Sequence, residues 1–216
     1  TGKNRQCRST EEGISNYMTL TVESGITGGI PMGGGKFGGV ATRWHLPHNV
    51  QFDFYQGGGL DVAFLGLAEV QPDGAINASK FGRRLAGPGG FIDITQNAKK
   101  DVFCGTFTTK GLRVACQDGK LVITQEGAKK KFVNTVQQIF SGKYANQIQQ
   151  PVLYITERAV FELRPEGVTL IESHRGLISR HRFSTRWNSN RLLTMLKDHD
   201  SRIFRDEPMG IRNDAE

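Results

Sequence analysis

The sequence predicts an α/β domain with a mixed, mostly buried β-sheet flanked by helices, and two patterns carry that expectation. Apolar residues recur in near-continuous runs rather than strict alternation, as in strands covered on both faces. These runs are "YMTLTV" (17–22), "LDVAFLGLA" (60–68), "GFIDIT" (90–95), "DVFCGTFT" (101–108) and "PVLYITE" (151–157). Two other stretches alternate around turn residues and read as hairpins: "LRVACQDGKLVITQEG" about Asp118-Gly119, and "AVFELRPEGVTLIES" about Pro165-Glu166-Gly167. Helical signal is thinner. "STEEGIS" (9–15) predicts a short helix, and "NRLLTMLKD" (190–198) spaces its apolar residues as a helix does.

A chain of 216 residues is long enough for one substantial core. Its 37% apolar and 23% charged residues argue against wholesale disorder. The formal charge of +7 suits an anionic partner, and leaves nucleic acid, a phosphorylated cofactor and simple solubility open. The Arg- and His-rich stretch 174–191 has no recognition motif and little aromatic interleaving, so it reads as a solvated face and no nucleic acid is expected. Cys7, Cys104 and Cys116 form no CxxC pair, which fits a reducing compartment and a cytoplasmic protein. No apolar run approaches the roughly 20 residues a membrane span needs, so no membrane partner is expected. The first residues carry no apolar signal core and no initiating Met, so the expectation is a processed or partial piece.

Glu23 stands out among the reactive groups. It ends the apolar run "MTLTV" and opens a glycine-rich stretch, where backbone amides lie free to meet an anion or oxyanion. Spacing alone leaves an ordinary turn glutamate equally open. "GGGKFGG" is neither a phosphate-binding GK[ST] loop nor a GxGxxG opening a helix. Two more glycine clusters, Gly57–Gly59 and Gly87–Gly90, precede buried-looking strands, and each reads as a turn or as a close ligand approach. His45, His48, His174, His181 and His199 lack metal-ligand spacing with any cysteine, so no metal is expected. Cys104 reads as a small core residue.

Taken together, six blocks in order resemble the C-terminal, β-type half of a family I coenzyme A transferase. They are "EEGISNYMTLTVESGITGGIP", "QFDFYQGGGLDVAFLGLAEV", "SKFGRRLAGPGGFIDITQNAKK", "VFCGTFTTKGL", "QPVLYITERAVFEL" and "SRIFRDEPMG". The match is to the single-chain acetate, propionate or 3-oxoacid type, and it covers roughly residues 9–173 and a short piece near the end. The resemblance implies the CoA-transferase (NagB/RpiA-like) fold, with residues 1–173 as the β-type catalytic domain and 174–216 as a divergent segment of the same domain.

In that family the glutamate of the "ESG" segment is the nucleophile, which here is Glu23, and it carries CoA as a glutamyl thioester. The second glycine of "GPGGF", here Gly90, lends a backbone N–H to the oxyanion hole, with Gly89 beside it. The strand matching "GGGLDVAFLG" implies CoA-binding positions at Gly58, Gly59, Leu65 and Gly66. Coenzyme A is then substrate and product, with no permanently bound cofactor. The implied partners are an acyl-CoA, short-chain carboxylic acids and an α-type half or subunit, in a homo- or hetero-oligomer. The chain reads as a fragment or a separate β subunit, and the single-chain match favours a fragment. Two stretches depart from the family pattern: "GGVATRWHLPHNV" before "QFDFY" is shorter and unlike it, and 174–191 replaces an acidic helical segment. Those departures keep a non-catalytic CoA-binding or assembly half of the same fold as the alternative, with a related thioester hydrolase behind it.

Overall fold

The computed structural model describes residues 11–32, 38–40, 42–173, 193–205 and 207–215. Cys7, His174, His181, the whole Arg-rich stretch 174–191 and the first five residues of "GGGKFGG" lie outside the described residues. The chain divides into two compact units, Thr1–Gly57 with Arg205–Glu216, and Gly58–Phe204.

The first unit is built from short pieces. A 3-10 turn at Ser15–Tyr17 precedes β1 (Thr21–Val22), β2 (Ile26–Thr27), β3 (Ile30–Met32), β4 (Gly38–Val40), β5 (Trp44–His45) and helix α1 (His48–Gln56). Strands β1, β2 and β5 form a three-stranded antiparallel sheet in the order β1-β2-β5, and β3 pairs with β4. Of the expected strand 17–22, only the last two residues pair, because the glycine-rich turns that follow leave a partner of only two residues. Glu12 is buried and fastens the returning C-terminal segment, accepting the amides of Met209, Gly210 and Ile211.

The second unit holds the main sheet. In chain order it contains β6 (Ala63–Gly66), α2 (Phe91–Gln96), β7 (Asp101–Cys104), α3 (Lys143–Gln147), β8 (Val152–Ile155), β9 (Ala159–Arg164), β10 (Gly167–Ser173) and β11 (Leu193–Asp198). The sheet order is β11-β10-β9-β8-β7-β6. Pairs β6–β7, β7–β8 and β10–β11 are parallel, while β8–β9–β10 is an antiparallel meander. The expected mixed sheet is therefore present. Its core includes Phe103, Val152, Tyr154, Phe161 and Val168. Phe91 of α2 stacks on Phe103, and Phe103 stacks on Tyr154, with centroids 5.6 and 5.7 Å apart. The Tyr154 hydroxyl meets its hydrogen-bond need by donating to Gly74 O at 2.8 Å.

Both hairpins form where their turn residues put them. Asp118 (φ +50°) and Gly119 (φ +68°) make a two-residue turn between strands Arg113–Gln117 and Lys120–Gln125. Gly167 (φ +126°) begins β10, with its α-carbon so close to Pro72 O that a Cβ would lie 2.6 Å away.

Two expectations are corrected. "GFIDIT" is helix α2, not a strand: Phe91, Ile94 and Thr95 are buried at i, i+3 and i+4, and Asp93 lies in the positive first turn. "NRLLTMLKD" contains strand β11, not a helix; pairing with β10 overrides a short helical spacing. Strand β6 also departs from two-sided cover, since Phe64 on the sheet edge is 69% exposed.

Candidate functional site

The candidate residues fall on two structures, one in each unit. In the first, β1 and β2 pair as Thr21↔Thr27 and Val22↔Ile26, so Glu23-Ser24-Gly25 form a three-residue hairpin turn. The amide of Gly25 donates to Val22 O at 3.0 Å, and Gly25 takes the left-handed conformation (φ +94°). A Cβ there would sit 1.9 Å from Leu46 O, so this position requires glycine on both counts. Glu23 is half-buried at the head of the elbow.

The segment from Leu46 through α1 grips this elbow at alternate residues. Leu46 N–H donates to Gly25 O at 2.8 Å. His48 Nδ1 donates to Glu23 O at 2.8 Å, which fixes its Nδ1–H tautomer. Gln51 Nε2 donates to Thr21 Oγ1 at 2.8 Å. The Tyr55 hydroxyl lies 3.1 Å from the same Thr21 oxygen, and Thr27 Oγ1 lies 3.3 Å from it. Gln51 is 0% and Tyr55 3% exposed. Burial pushes the Tyr55 hydroxyl above its ordinary range; hydrogen bonds from Thr21 and Gln51 pull it back, and the charge of Glu23 adds to the upward push. Among the described residues, Gln51 Oε1 and Ser24 Oγ are buried without a hydrogen-bond partner.

The second structure is the loop "AGPGG" with α2. Gly87 (φ +79°) and Gly89 (φ +55°) hold left-handed turns, and a Cβ on either would meet nothing within 4 Å. Gly90 is the N-cap of α2, and among the described residues its amide has no backbone acceptor. Chain direction orders the remaining positions. Helix α2 links the parallel neighbours β6 and β7, so its N-terminus points toward the carboxyl end of β6. Gly66 closes that end and is open to solvent, with Leu65 packed beneath it on the core. Gly58 and Gly59 precede β6 at its other end, where a Cβ on Gly58 would lie 3.4 Å from Asn97 O. Gly66, Gly89 and Gly90 therefore share one end of the sheet, and Gly58 and Gly59 lie at the opposite one.

Sequence reasoning missed Thr21, His48, Gln51 and Tyr55. The signal was present: positions 48, 51, 52 and 55 of "HNVQFDFYQ" repeat at i, i+3, i+4 and i+7, one face of a helix. Among the described residues there is no cluster of His, Cys, Asp or Glu able to hold a metal ion. No helix there is long and apolar enough to cross a membrane.

No family model matches the chain. It is 45% identical over 204 residues to the acetate CoA-transferase YdiF of Escherichia coli K12, covering 93% of this chain and 38% of that protein. It is 42% identical over 209 residues to the caffeate CoA-transferase of Acetobacterium woodii, covering 93% of this chain and 40% of that protein. The solved acyl-CoA transferase YdiF of Escherichia coli O157:H7, as a thioester complex with CoA, superposes with a TM-score of 0.87 at 42% identity, over 95% of this chain and 39% of that one. The chain thus spans about two fifths of the length of the curated relatives it matches. Sequence likeness at this level, carried by the same fold, shows that the chain belongs to the family I coenzyme A transferases.

Proposed function

We propose that this chain carries the nucleophile of a coenzyme A transferase that moves CoA between a short-chain acyl-CoA and a carboxylic acid. The observation that carries the reading is the Glu23 elbow, a half-buried carboxylate held on a braced hairpin turn in a chain 45% identical to an acetate CoA-transferase. The related thioester complex with CoA supports a covalent route.

The chemistry follows from a carboxylate nucleophile. A Glu23 oxygen attacks the acyl carbonyl carbon, the C–S bond breaks, and the CoA thiolate leaves an acyl-glutamyl anhydride. The thiolate then attacks the glutamyl carbonyl carbon and expels the first acid as its carboxylate, leaving a Glu23–CoA thioester. An incoming carboxylate runs the same two steps in reverse, restoring Glu23 and releasing the new acyl-CoA. The acyl-CoA and the Glu23–CoA adduct are both thioesters of comparable energy, so CoA is transferred with no need of ATP or metal. In this reading Gly90 supplies an oxyanion donor, typically about 3–4 kcal/mol of transition-state stabilisation, with Gly89 and Gly66 beside it on the CoA path. Leu65 lies on the supporting strand β6, and Gly58 and Gly59 precede that strand. The net charge of +7 suits the pyrophosphate and 3′-phosphate of CoA. An α-type half, in the same or a second chain, completes the active site within an oligomer. The free Cys104 and Cys116 fit a cytoplasmic setting.

The deciding experiment incubates the protein, reconstituted with an α-type half, with acetyl-CoA and follows the Glu23 peptide by mass spectrometry. The expected result is an added CoA mass that added acetate removes. An unmodified peptide from an enzyme that turns over would overturn the assignment, and unchanged turnover in Glu23→Gln would favour a non-catalytic half.

A further inference from the structure

The elbow that carries Glu23 cannot hold itself. Each of its strands is two residues long, and an isolated hairpin of that size is at best marginally stable in water. A reacting carboxylate, by contrast, must be held to within about 0.5 Å of its productive position. Something outside the hairpin must supply the rigidity, and four hydrogen bonds from one segment meet that need. Leu46, His48, Gln51 and Tyr55 reach residues 25, 23 and 21 in turn, each bond between 2.8 and 3.1 Å. Gln51 is fully buried and spends its amide N–H on Thr21, two residues before the carboxylate.

We propose that Gln51, Tyr55 and His48 are positioning residues for Glu23, the first two acting through the Thr21 hydroxyl and the third through the Glu23 main-chain carbonyl. This inference rests on the reading of Glu23 as nucleophile. It assigns a role to the "TRWHLPHNV" stretch, one of the two that the sequence reading sets apart from the family pattern: the stretch delivers His48 to the elbow. The ring of His48 also packs on Phe52, centroids 4.7 Å apart, so the donor is fixed from two sides. Tyr55 adds an electrostatic link. Its hydroxyl is buried and feels the Glu23 charge, so the Tyr55 hydroxyl reports on that charge.

Two measurements test this. The first uses the chain itself: the phenol absorbance of Tyr55, identified by its loss in Tyr55→Phe, is titrated with and without Glu23→Gln. The midpoint is expected to fall when the Glu23 charge is removed, and an unmoved midpoint would overturn the electrostatic link. The second uses the reconstituted enzyme and the rate of Glu23–CoA adduct formation. Gln51→Leu and Tyr55→Phe are expected to lower kcat about 10- to 100-fold, as misplacement by about 1 Å does, with KM for acyl-CoA little changed. His48→Leu is expected to fall similarly, and His48→Asn, which keeps an N–H donor, to recover most of the rate. Variants that turn over like wild type, or a His48→Asn no better than His48→Leu, would overturn the brace. A Glu23→Gln enzyme of full activity would instead overturn the nucleophile assignment, so the two failures are distinguishable.

Discussion

Glu12 Oε2 accepts the amide of Gly210 at 2.8 Å, joining residues 198 positions apart in the sequence. Oε1 takes Met209 N–H at 2.6 Å, and Oε2 also receives Ile211 N–H at 3.3 Å. One buried carboxylate thus caps three successive amides and ties the returning C-terminal segment into the first unit.

Truncating that carboxylate leaves the amides without their acceptor. Glu12→Ala is expected to cost about 1–3 kcal/mol and to raise amide hydrogen exchange at 209–211 above all other sites. Glu12→Gln, which keeps one carbonyl acceptor, should fall between the two. Equal protection in wild type and Glu12→Ala would show that the clasp is not what holds the segment.

Gly25 offers a test of the elbow by strain alone. Gly25→Ala puts a Cβ 1.9 Å from Leu46 O at φ +94°, and the expected loss exceeds about 3 kcal/mol, from a strained φ plus displacement of the Leu46 backbone. Gly82→Ala is the matched control, since φ there is +63° and a Cβ meets nothing within 4 Å. It should cost only the left-handed penalty, about 1–2 kcal/mol. Thermal melts of the two variants should therefore separate by several degrees.

Asp101 opens the interior strand β7 with 0% exposure, and both its oxygens lack a hydrogen-bond partner among the described residues. Burial pushes this carboxyl up to about 8. A carboxyl raised in the folded state binds its proton more tightly there than in the unfolded chain. The contribution of this group to stability is therefore full below about pH 4 and declines until the pH passes about 8. A shift of that size corresponds to a loss on the order of 4–6 kcal/mol. Asp101→Asn should flatten this decline in denaturant titrations between pH 4 and 9. A slope unchanged by the substitution would place the titrating group elsewhere.

Arg158 is the hub of a largely buried network. Its Nη1 and Nη2 donate to Glu126 at 2.8 and 3.0 Å, its Nε to Glu157 at 2.6 Å, and its guanidinium lies 4.9 Å from the Phe107 ring centroid. The Arg158 hydrogen bond holds the Glu126 carboxyl down at about 2. That contribution is present above the ordinary carboxylate range and lost as pH falls toward 2. Glu126 is half exposed, so the ion pair itself is worth little. Removing Arg158 also takes the ion-pair partner from Glu157, whose side chain is only 13% exposed and keeps the Phe107 amide as a donor. Arg158→Ala is therefore expected to cost about 2–4 kcal/mol, while Arg158→Lys should recover less than half because one ammonium cannot span both carboxylates. Chemical denaturation at neutral pH measures both.

The local turns and the mixed sheet were legible in the sequence, and parts of the site were not. Asp118-Gly119 and Gly167 announce hairpins because positive φ is a preference of one or two residues. "GFIDIT" was misread because six apolar-rich residues fit strand and helix equally; Gly90 as cap and the 91/94/95 face decide for helix only once Phe103 lies beneath Phe91. Nothing within "KKDVFC" indicates that Asp101 is wholly buried, since burial depends on β6 and β8 arriving on either side.

What the sequence by itself determined was the family blocks, the glutamate at the head of a turn, and the glycines that hold left-handed backbone. Each is a property of a short run of residues, readable without neighbours. Only the tertiary structure decided what grips Glu23. Gln51 and Tyr55 meet Thr21 across 30 and 34 residues of chain, and His48 meets Glu23 across 25. Those bonds exist because α1 lies on the hairpin, and for the buried Gln51 and Tyr55 an unpaired polar group would be costly, a condition set by packing.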